Sequence, residues 1–196
     1  MKKVAVLVSG GGTNLQALLD AEKRGELPHA SIKLVVASKP GIYALERAAQ
    51  AGVPSAVVER RAFGDALAFD EALREVLRKN GIEVIVLAGF LSILGPAVLE
   101  AYPGRIINVH PSLIPAFCGD GFYGLKVHEA ALARGVKVSG ATVHLVNEIT
   151  DGGKILLQKA VPVKEDDTPE LLQQRVMEEA EWRLLPQAVE MICASL

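Results

Sequence analysis

The segment Val4-Ala5-Val6-Leu7-Val8-Ser9-Gly10-Gly11-Gly12-Thr13-Asn14 decides the fold. Its five consecutive apolar residues predict a short strand that is buried on both faces, as in parallel sheets. Three glycines end the strand, and apolar residues at helical spacing follow from Asn14 to Lys23. A strand, a glycine loop and a helix in this order predict the first half of a β-α-β unit.

The same alternation continues along the chain. Apolar runs predict further strands buried on both faces, and stretches with helical spacing separate them. The predicted strands are Ile32 to Ala37, Ser55 to Val58, Glu83 to Leu87 and Ile106 to Val109, and the predicted helices are Ile42 to Ala51, Asp65 to Lys79, Pro96 to Ala101 and Leu125 to Arg134. This pattern favours an α/β fold with a mostly parallel, doubly wound, Rossmann-like sheet and right-handed crossovers.

The pattern changes in the last third of the chain. Val138 to Val146 and Ile155 to Val163 alternate as half-buried strands on either side of Thr150-Asp151-Gly152-Gly153, which predicts an antiparallel C-terminal hairpin. A threonine followed by a proline then predicts the start of a long terminal helix over residues 168–185. We therefore expect one domain over residues 1–196.

Composition narrows the choice of partners. A chain of 196 residues with 50% hydrophobic content can bury a sizeable core, and its net charge of −2 provides no basic field for nucleic acid or an anionic membrane. Small-molecule substrates are therefore favoured, with no nucleic acid and no membrane as partners. The longest uncharged stretch, Val84 to Leu99, is shorter than the roughly 20 apolar residues of a spanning helix. Cys118 and Cys193 suit a reducing cytoplasm.

Asn108 and His110 follow a predicted buried strand, at the end of the sheet where open α/β folds bind ligands. Their spacing of two places both side chains on one face of the strand. An amide can then hold a polarised oxygen while an imidazole moves a proton. The alternative is structural, with Asn108 starting a turn and His110 lying in the core.

Three other features also allow a functional and a structural interpretation. The loop Ser9 to Asn14 suits a phosphate because free amides at a helix start attract anions, but it also suits a plain tight turn. The segment Leu87 to Leu94 fits either a pocket for a flat ring or the core, and the core is favoured. Asp151 either pairs with His110 and raises its pKa, or serves only the turn.

The remaining histidines give no sign of a metal site. His144 lies in the middle of a predicted strand, which favours a structural role, and His29 and His128 are predicted on the surface. Their spacing does not fit zinc ligation, so no metal is expected.

An ordered set of motifs resembles the glycinamide ribonucleotide transformylase family, the folate-dependent formyltransferases of purine synthesis. The motifs are Ser9 to Gln16, Ala88 to Leu91, Asn108 to Pro115, Gly140 to His144 and Asp151 to Gly153. The resemblance implies a cytoplasmic transferase, monomeric or homodimeric. Such an enzyme moves the formyl group of 10-formyltetrahydrofolate to the amine of 5'-phosphoribosylglycinamide on the route to IMP, through a tetrahedral intermediate and without a metal.

The resemblance also implies roles for particular residues. The catalytic group would be Asn108, His110 and Asp151. The ribonucleotide would contact Gly12, Thr13, Asn14, Glu178 and Glu181. The folate would contact Leu91, Ser92, Ile93, Leu94, Asn108, Asn147, Glu148, Ile149, Thr150 and Asp151.

The chain departs from the family pattern at three places. Ala66 stands where many members have a basic residue for the folate tail, the loop 116–124 is longer than usual, and Trp182 stands where histidine is frequent. Methionyl-tRNA formyltransferase and formyltetrahydrofolate hydrolase share the catalytic motifs, but each has an additional domain for which 196 residues leave no room. A regulatory nucleotide-binding module without turnover is a further alternative, and the proton-transfer group argues against it.

Overall fold

Seven strands form one mixed sheet in the computed structural model, which describes residues 1–196. They are β1 (Lys2–Val8), β2 (Ala30–Ala37), β3 (Ser55–Val57), β4 (Val84–Leu87), β5 (Ile106–His110), β6 (Val138–Leu145) and β7 (Ile155–Pro162). The spatial order is β3-β2-β1-β4-β5-β6-β7, parallel through β5 and antiparallel from β5 to β7. The predicted α/β fold with an antiparallel C-terminal hairpin is confirmed.

Helices cover both faces of this sheet. They are α1 (Thr13–Lys23), α2 (Tyr43–Gln50), α3 (Ala66–Lys79), α4 (Pro96–Ala101), α5 (Leu125–Arg134), α6 (Pro169–Val176) and α7 (Trp182–Ser195). One buried cluster joins the sheet to α1, α2 and α5 to α7, and the other joins its opposite face to α3 and α4. This arrangement is the doubly wound architecture that the alternation predicts. None of the helices has the length and apolar character needed to cross a bilayer.

β6 is buried from Ser139 to His144 rather than half-buried as predicted, and two further predictions about the fold are wrong. The third strand is not buried on both faces, because β3 is a three-residue edge strand and Ser55 and Val57 are exposed. The terminal helix does not end at Leu185. It continues to Ser195, and a π-helical turn at Met177–Glu181 divides it into α6 and α7.

The sequence around Pro186 explains the second error. Proline cannot donate to the carbonyl four residues earlier and usually ends or distorts a helix, so a helical pattern is expected to stop before it. In the structure, Ala188, Val189 and Cys193 continue the apolar face into the core beyond the proline. Burial of these side chains stabilises the helix past its break.

Candidate active site

A cavity of about 480 Å³ lies at the carboxyl ends of β4 and β5, next to the loop between β6 and β7. All ten residues expected to contact a folate border it, from the segments 91–94 and 147–151 and from Asn108. His110 borders it as well. Segments that are far apart in the sequence therefore converge at the sheet edge where α/β folds bind ligands.

The segment after β4 presents apolar side chains to this cavity. Leu91 is 62% exposed and Ile93 is 78% exposed, so the favoured prediction that the segment belongs to the core is wrong for these two residues. Leu94 is buried and does join a core cluster. The backbone amide of Leu91 donates to Ser9 Oγ at 2.9 Å, which ties this wall of the cavity to the start of the glycine loop.

The lining of the cavity contains three carboxylates, from Asp120, Glu148 and Asp151, and no lysine or arginine. Such a lining suits a largely apolar ring system with hydrogen-bonding groups. It does not suit a phosphate, which binds to cations or to clustered backbone amides. A phosphate group of a ligand would therefore have to lie elsewhere.

Asn108, His110 and Asp151 meet at the inner end of the cavity. The Asn108 Nδ2 atom lies 3.4 Å from Asp151 Oδ1, and His110 Nδ1 lies 3.5 Å from Asp151 Oδ2. The side chains of His110 and Asp151 are only 5% and 8% exposed. The structure thus brings together the three groups that the sequence proposed, in a desolvated place where charges interact strongly.

His144 is a fourth member of this cluster. Its Nε2 atom lies 3.2 Å from Asn108 Nδ2 and 3.4 Å from Asp151 Oδ1, and its Nδ1 atom lies 2.8 Å from the Leu145 carbonyl. The signal that could have found it is its spacing, because Thr142 and His144 are two residues apart on β6, as Asn108 and His110 are on β5. Asn108 pairs with His144 across the two strands, but that register is not readable without the structure.

The charge states of the pair follow from burial and from the hydrogen bonds. Burial lowers the pKa of His110 below its ordinary value, although the Phe117 carbonyl and the Asp151 carboxylate act in the opposite direction. Burial alone would raise the pKa of Asp151, but hydrogen bonds from His144 and the Gly119 amide, together with both histidines, hold it below its ordinary value.

The expectation that Asp151 makes His110 a stronger base than usual is therefore wrong in its net result. Asp151 does favour the imidazolium, but desolvation disfavours it by more. The free site at neutral pH consequently pairs a neutral imidazole with an ionised carboxylate.

The loop that follows β5 holds these two side chains from the other side. The Phe117 carbonyl lies 2.9 Å from His110 Nε2, and the Gly119 amide donates to Asp151 Oδ2 at 2.8 Å. A carbonyl can only accept, so Nε2 carries a proton and Nδ1 is the nitrogen left for proton exchange.

A second group of predicted ligand residues lies at the start of α1. Gly12 has a left-handed φ of 75°, and a Cβ there would lie 2.7 Å from the Ala44 Cβ, so this glycine is required by the packing of α2. It supplies no side-chain cap. The backbone amides of Thr13, Asn14 and Leu15 donate to no group of the protein, which leaves an anion-binding helix start.

Glu181 reaches this helix start from the π-helical turn. Its Oε2 atom accepts from Asn14 Nδ2 at 2.7 Å, and burial raises the pKa of this carboxyl to about 7. A π turn shifts the facing of side chains and often occurs at functional sites. Glu178 does not join the group, because it is exposed and accepts from Gln174 Nε2 at 2.9 Å.

Two other histidines were predicted on the surface, and one of these predictions is wrong. His29 is exposed and pairs with Glu190. His128 is fully buried on α5, neither of its ring nitrogens has a partner, and burial lowers its pKa to about 4. α5 places His128 on its buried face, whereas the polar side chain of histidine favours a prediction on the surface. The structure contains no group of three or more His, Cys, Asp or Glu side chains arranged to hold a metal.

Comparisons with known proteins show which family this chain resembles. A model of the formyl transferase family matches residues 2–189. The phosphoribosylglycinamide formyltransferase of Haemophilus influenzae is 40% identical over 97% of this chain and 86% of its own length. The crystal structure of glycinamide ribonucleotide transformylase 1 from Symbiobacterium toebii superimposes with a TM-score of 0.93 at 42% identity, covering 100% of this chain and 89% of the other.

Some relatives are much longer than this chain. The trifunctional purine biosynthetic protein adenosine-3 of Gallus gallus is 43% identical over 98% of this chain, which spans 18% of that protein. The similarity therefore concerns one part of that larger protein.

Proposed function

The chain belongs to the formyl transferase family, and we propose that it transfers the formyl group of 10-formyltetrahydrofolate to the amine of 5'-phosphoribosylglycinamide in purine synthesis. One observation carries the proposal: a cavity with apolar walls and no lysine or arginine ends on the buried cluster of Asn108, His110 and Asp151. The names of the relatives point to the same reaction.

The cavity fits the ring system of a folate. Leu91, Ile93 and Ile149 are exposed apolar side chains along its walls, and a flat heterocycle would cover them. Residues 147–151 add backbone and side-chain polar groups near the ring edge. We assign the formyl donor to this cavity, with its formyl carbon near Asn108 and His110.

The ribonucleotide belongs at the glycine loop. Its phosphate would accept from the free amides at the start of α1, where the helix dipole favours an anion. Glu181 is placed to accept from a hydroxyl or ammonium group of the same ligand. We do not extend this role to Glu178, because its exposed side chain accepts from Gln174 instead.

The chemistry needs groups that respond to charge as the amine attacks the formyl carbon. Negative charge develops on the formyl oxygen, and Asn108 Nδ2 would donate to it in place of its long contact with Asp151 Oδ1 at 3.4 Å. That charge raises the pKa of the neighbouring His110, so the imidazole takes up a proton during the reaction even though it starts neutral. The imidazolium then stabilises the same oxygen.

Asp151 completes the transfer of protons. It is ionised in the free site and lies 3.5 Å from His110 Nδ1, so it stabilises the imidazolium that forms. The amine loses one proton, and the folate nitrogen that leaves gains one. His110 and Asp151 supply the route between the two, directly or through water.

We further propose that residues 1–196 act as a single formyltransferase domain in the cytosol. Their one continuous sheet and the two free cysteines are consistent with this.

A transfer assay with one donor and three acceptors tests the proposal. The protein is mixed with 10-formyltetrahydrofolate and either 5'-phosphoribosylglycinamide, initiator methionyl-tRNA or water alone, and the loss of the formyl donor is followed. We expect rapid transfer to the ribonucleotide and none to the other two. Transfer to the tRNA or hydrolysis at a comparable rate would replace this function with that of another family member. No turnover with any acceptor would favour the binding module.

A further inference from the structure

Two residues other than glycine have a left-handed backbone: one contacts the catalytic cluster and the other belongs to it. Phe117 has a φ of 50° and Asp151 has a φ of 54°. The Phe117 carbonyl faces His110 Nε2, and the loop that contains Phe117 also donates the Gly119 amide to Asp151. Such conformations are unfavourable for residues other than glycine and persist only where the surrounding structure holds them.

Thr142 anchors that loop. Its Oγ1 atom donates to the Ser112 carbonyl at 2.7 Å and accepts from the Ile114 amide at 3.1 Å and from Gln158 Nε2 at 3.0 Å. The side chain of Thr142 is fully buried. One hydroxyl therefore fixes two backbone groups at the start of the loop.

The anchor extends to Phe117 through a second hydroxyl. Ser112 Oγ donates to the Ala116 carbonyl at 2.6 Å, and Ser112 is 1% exposed. Ala116 directly precedes Phe117, so the direction of the Phe117 carbonyl depends on this closed turn. Gln158 supports the same turn from outside, because its Nε2 also donates to the Ile114 carbonyl at 3.1 Å.

Thr142 does not border the cavity, although it pairs with His110 across β5 and β6. Its hydroxyl therefore reaches the site through the loop, because none of its three hydrogen-bond partners borders the cavity. Because buried hydrogen-bonding groups are costly to leave unpaired, loss of this hydroxyl would release the Ser112 carbonyl and the Ile114 amide to seek other partners.

We propose that Thr142 is a positioning residue for formyl transfer, whose hydroxyl holds segment 112–119 so that the Phe117 carbonyl and the Gly119 amide fix His110 and Asp151. The reaction named here rests on the proposed function. The hydrogen bonds of His110 are present in the free protein, so they can be tested independently of the reaction.

The first test compares turnover in Thr142→Val, Thr142→Ser and Ser31→Ala. Valine has the shape of threonine without the hydroxyl, and serine keeps the hydroxyl. Ser31 is a buried hydroxyl on β2 that donates to Glu22 Oε1, so its variant controls for a lost hydroxyl in the sheet. We expect Thr142→Val to lower kcat by about 10- to 10²-fold, the scale of a small misplacement, with KM values nearly unchanged. Thr142→Ser and Ser31→Ala should stay close to wild type.

The second test reads His110 directly by nitrogen NMR of the free protein. We expect the wild type to hold the Nε2–H tautomer, and Thr142→Val to populate both tautomers with a lower His110 pKa, because the Phe117 carbonyl and Asp151 both raise that pKa. His144 and His128, the other titratable neighbours, are left in place. If Thr142→Val does not fold, Gln158→Leu, at an exposed position, should give a smaller change in the same direction.

An unchanged kcat in folded Thr142→Val, or a lower kcat with an unchanged His110 tautomer, would overturn the proposal. If the wild type forms no formylated ribonucleotide, the proposed function fails instead. The NMR comparison then still decides whether Thr142 positions His110.

Discussion

The two ligand regions of this protein are built in different ways. The cavity at β4 and β5 is lined by residues from four segments and buries a cluster of four titratable or amide groups. The start of α1 offers mainly backbone amides and one buried carboxyl, Glu181. A single hydrogen bond, from the Leu91 amide to Ser9 Oγ, joins the walls of the two regions.

This difference separates chemistry from binding. Side chains that can change protonation state lie at the end of the cavity, where they act on the reacting atoms. Backbone amides at a helix start cannot change their charge, so they hold a ligand equally before and during reaction. Changes in the cavity cluster should therefore lower kcat, and changes at the start of α1 should raise the KM for the ribonucleotide.

The largest effect is expected at His110. Replacing it with alanine removes the group that takes up the proton, so kcat should fall by about 10² to 10⁴ while both ligands still bind. The matched control is His29→Ala, because His29 is an exposed histidine paired with Glu190. Steady-state rates with calorimetry of each ligand measure both quantities. Near-native turnover in His110→Ala would make this histidine structural.

A smaller loss is expected for Asp151→Asn. Asparagine tolerates the left-handed backbone at this position and keeps the size of the side chain. Removing the carboxylate removes a charge that raises the pKa of His110, so that pKa should fall further and kcat should decrease by about 10-fold or more. Titration of His110 by NMR, beside single-turnover rates, checks both. Normal rates with an unchanged His110 pKa would leave Asp151 with a role in the turn only.

Glu181→Gln should act on binding and on stability. The neutral isostere weakens a hydrogen bond to the ligand, so the KM for the ribonucleotide should rise by about 10-fold with little change in kcat. Because burial raises the pKa of Glu181 to about 7, the wild type loses stability as the pH rises from 4.5 toward 7, where only the unfolded chain releases the proton.

The variant lacks this loss, so above neutral pH it should be the more stable protein, by on the order of 3 kcal/mol. Denaturant unfolding at pH 5 and pH 8 measures the difference. Equal pH dependence in the two proteins would show that Glu181 ionises normally.

The smallest effect on function is expected in the glycine loop. A methyl group at Gly11 meets no atom within 4 Å, whereas at Gly12 it would collide with Ala44 at a φ of 75°. Gly11→Ala should thus fold normally and raise the ribonucleotide KM several-fold, and Gly12→Ala should lose about 1–2 kcal/mol of stability from its backbone alone. Thermal unfolding and KM measurements compare the two. If Gly11→Ala is destabilised but has a normal KM for the ribonucleotide, the phosphate does not bind at this loop.

The sequence predicted those parts of the site that depend on local pattern and on a general rule. Asn108 and His110 are found from their spacing after an apolar run, since parallel strands end at the same edge of a sheet. The hairpin corner leaves the role of Asp151 open between a pair with His110 and the turn, and the family resemblance places it in the catalytic group. In the structure, Asn108 Nδ2 and His110 Nδ1 lie 3.4 and 3.5 Å from the carboxylate oxygens of Asp151.

The remaining features depend on contacts between distant segments. His144 joins the cluster through the register of β5 and β6, and Thr142 through three hydrogen bonds to other segments. The lowered pKa of His110 arises from burial, which a sequence does not specify. The hydrogen bond from Asn14 to Glu181 likewise joins segments that are 167 residues apart in the sequence.

The division between chemistry and binding is tested most directly with two variants side by side, His110→Ala and Asn14→Ala. Single-turnover rates at saturating substrates are measured with the Kd of the ribonucleotide by calorimetry. We predict that His110→Ala loses rate and keeps its Kd, and that Asn14→Ala weakens the Kd and keeps its rate once saturated. Loss of rate in both variants to the same extent, with both Kd values unchanged, would contradict the account.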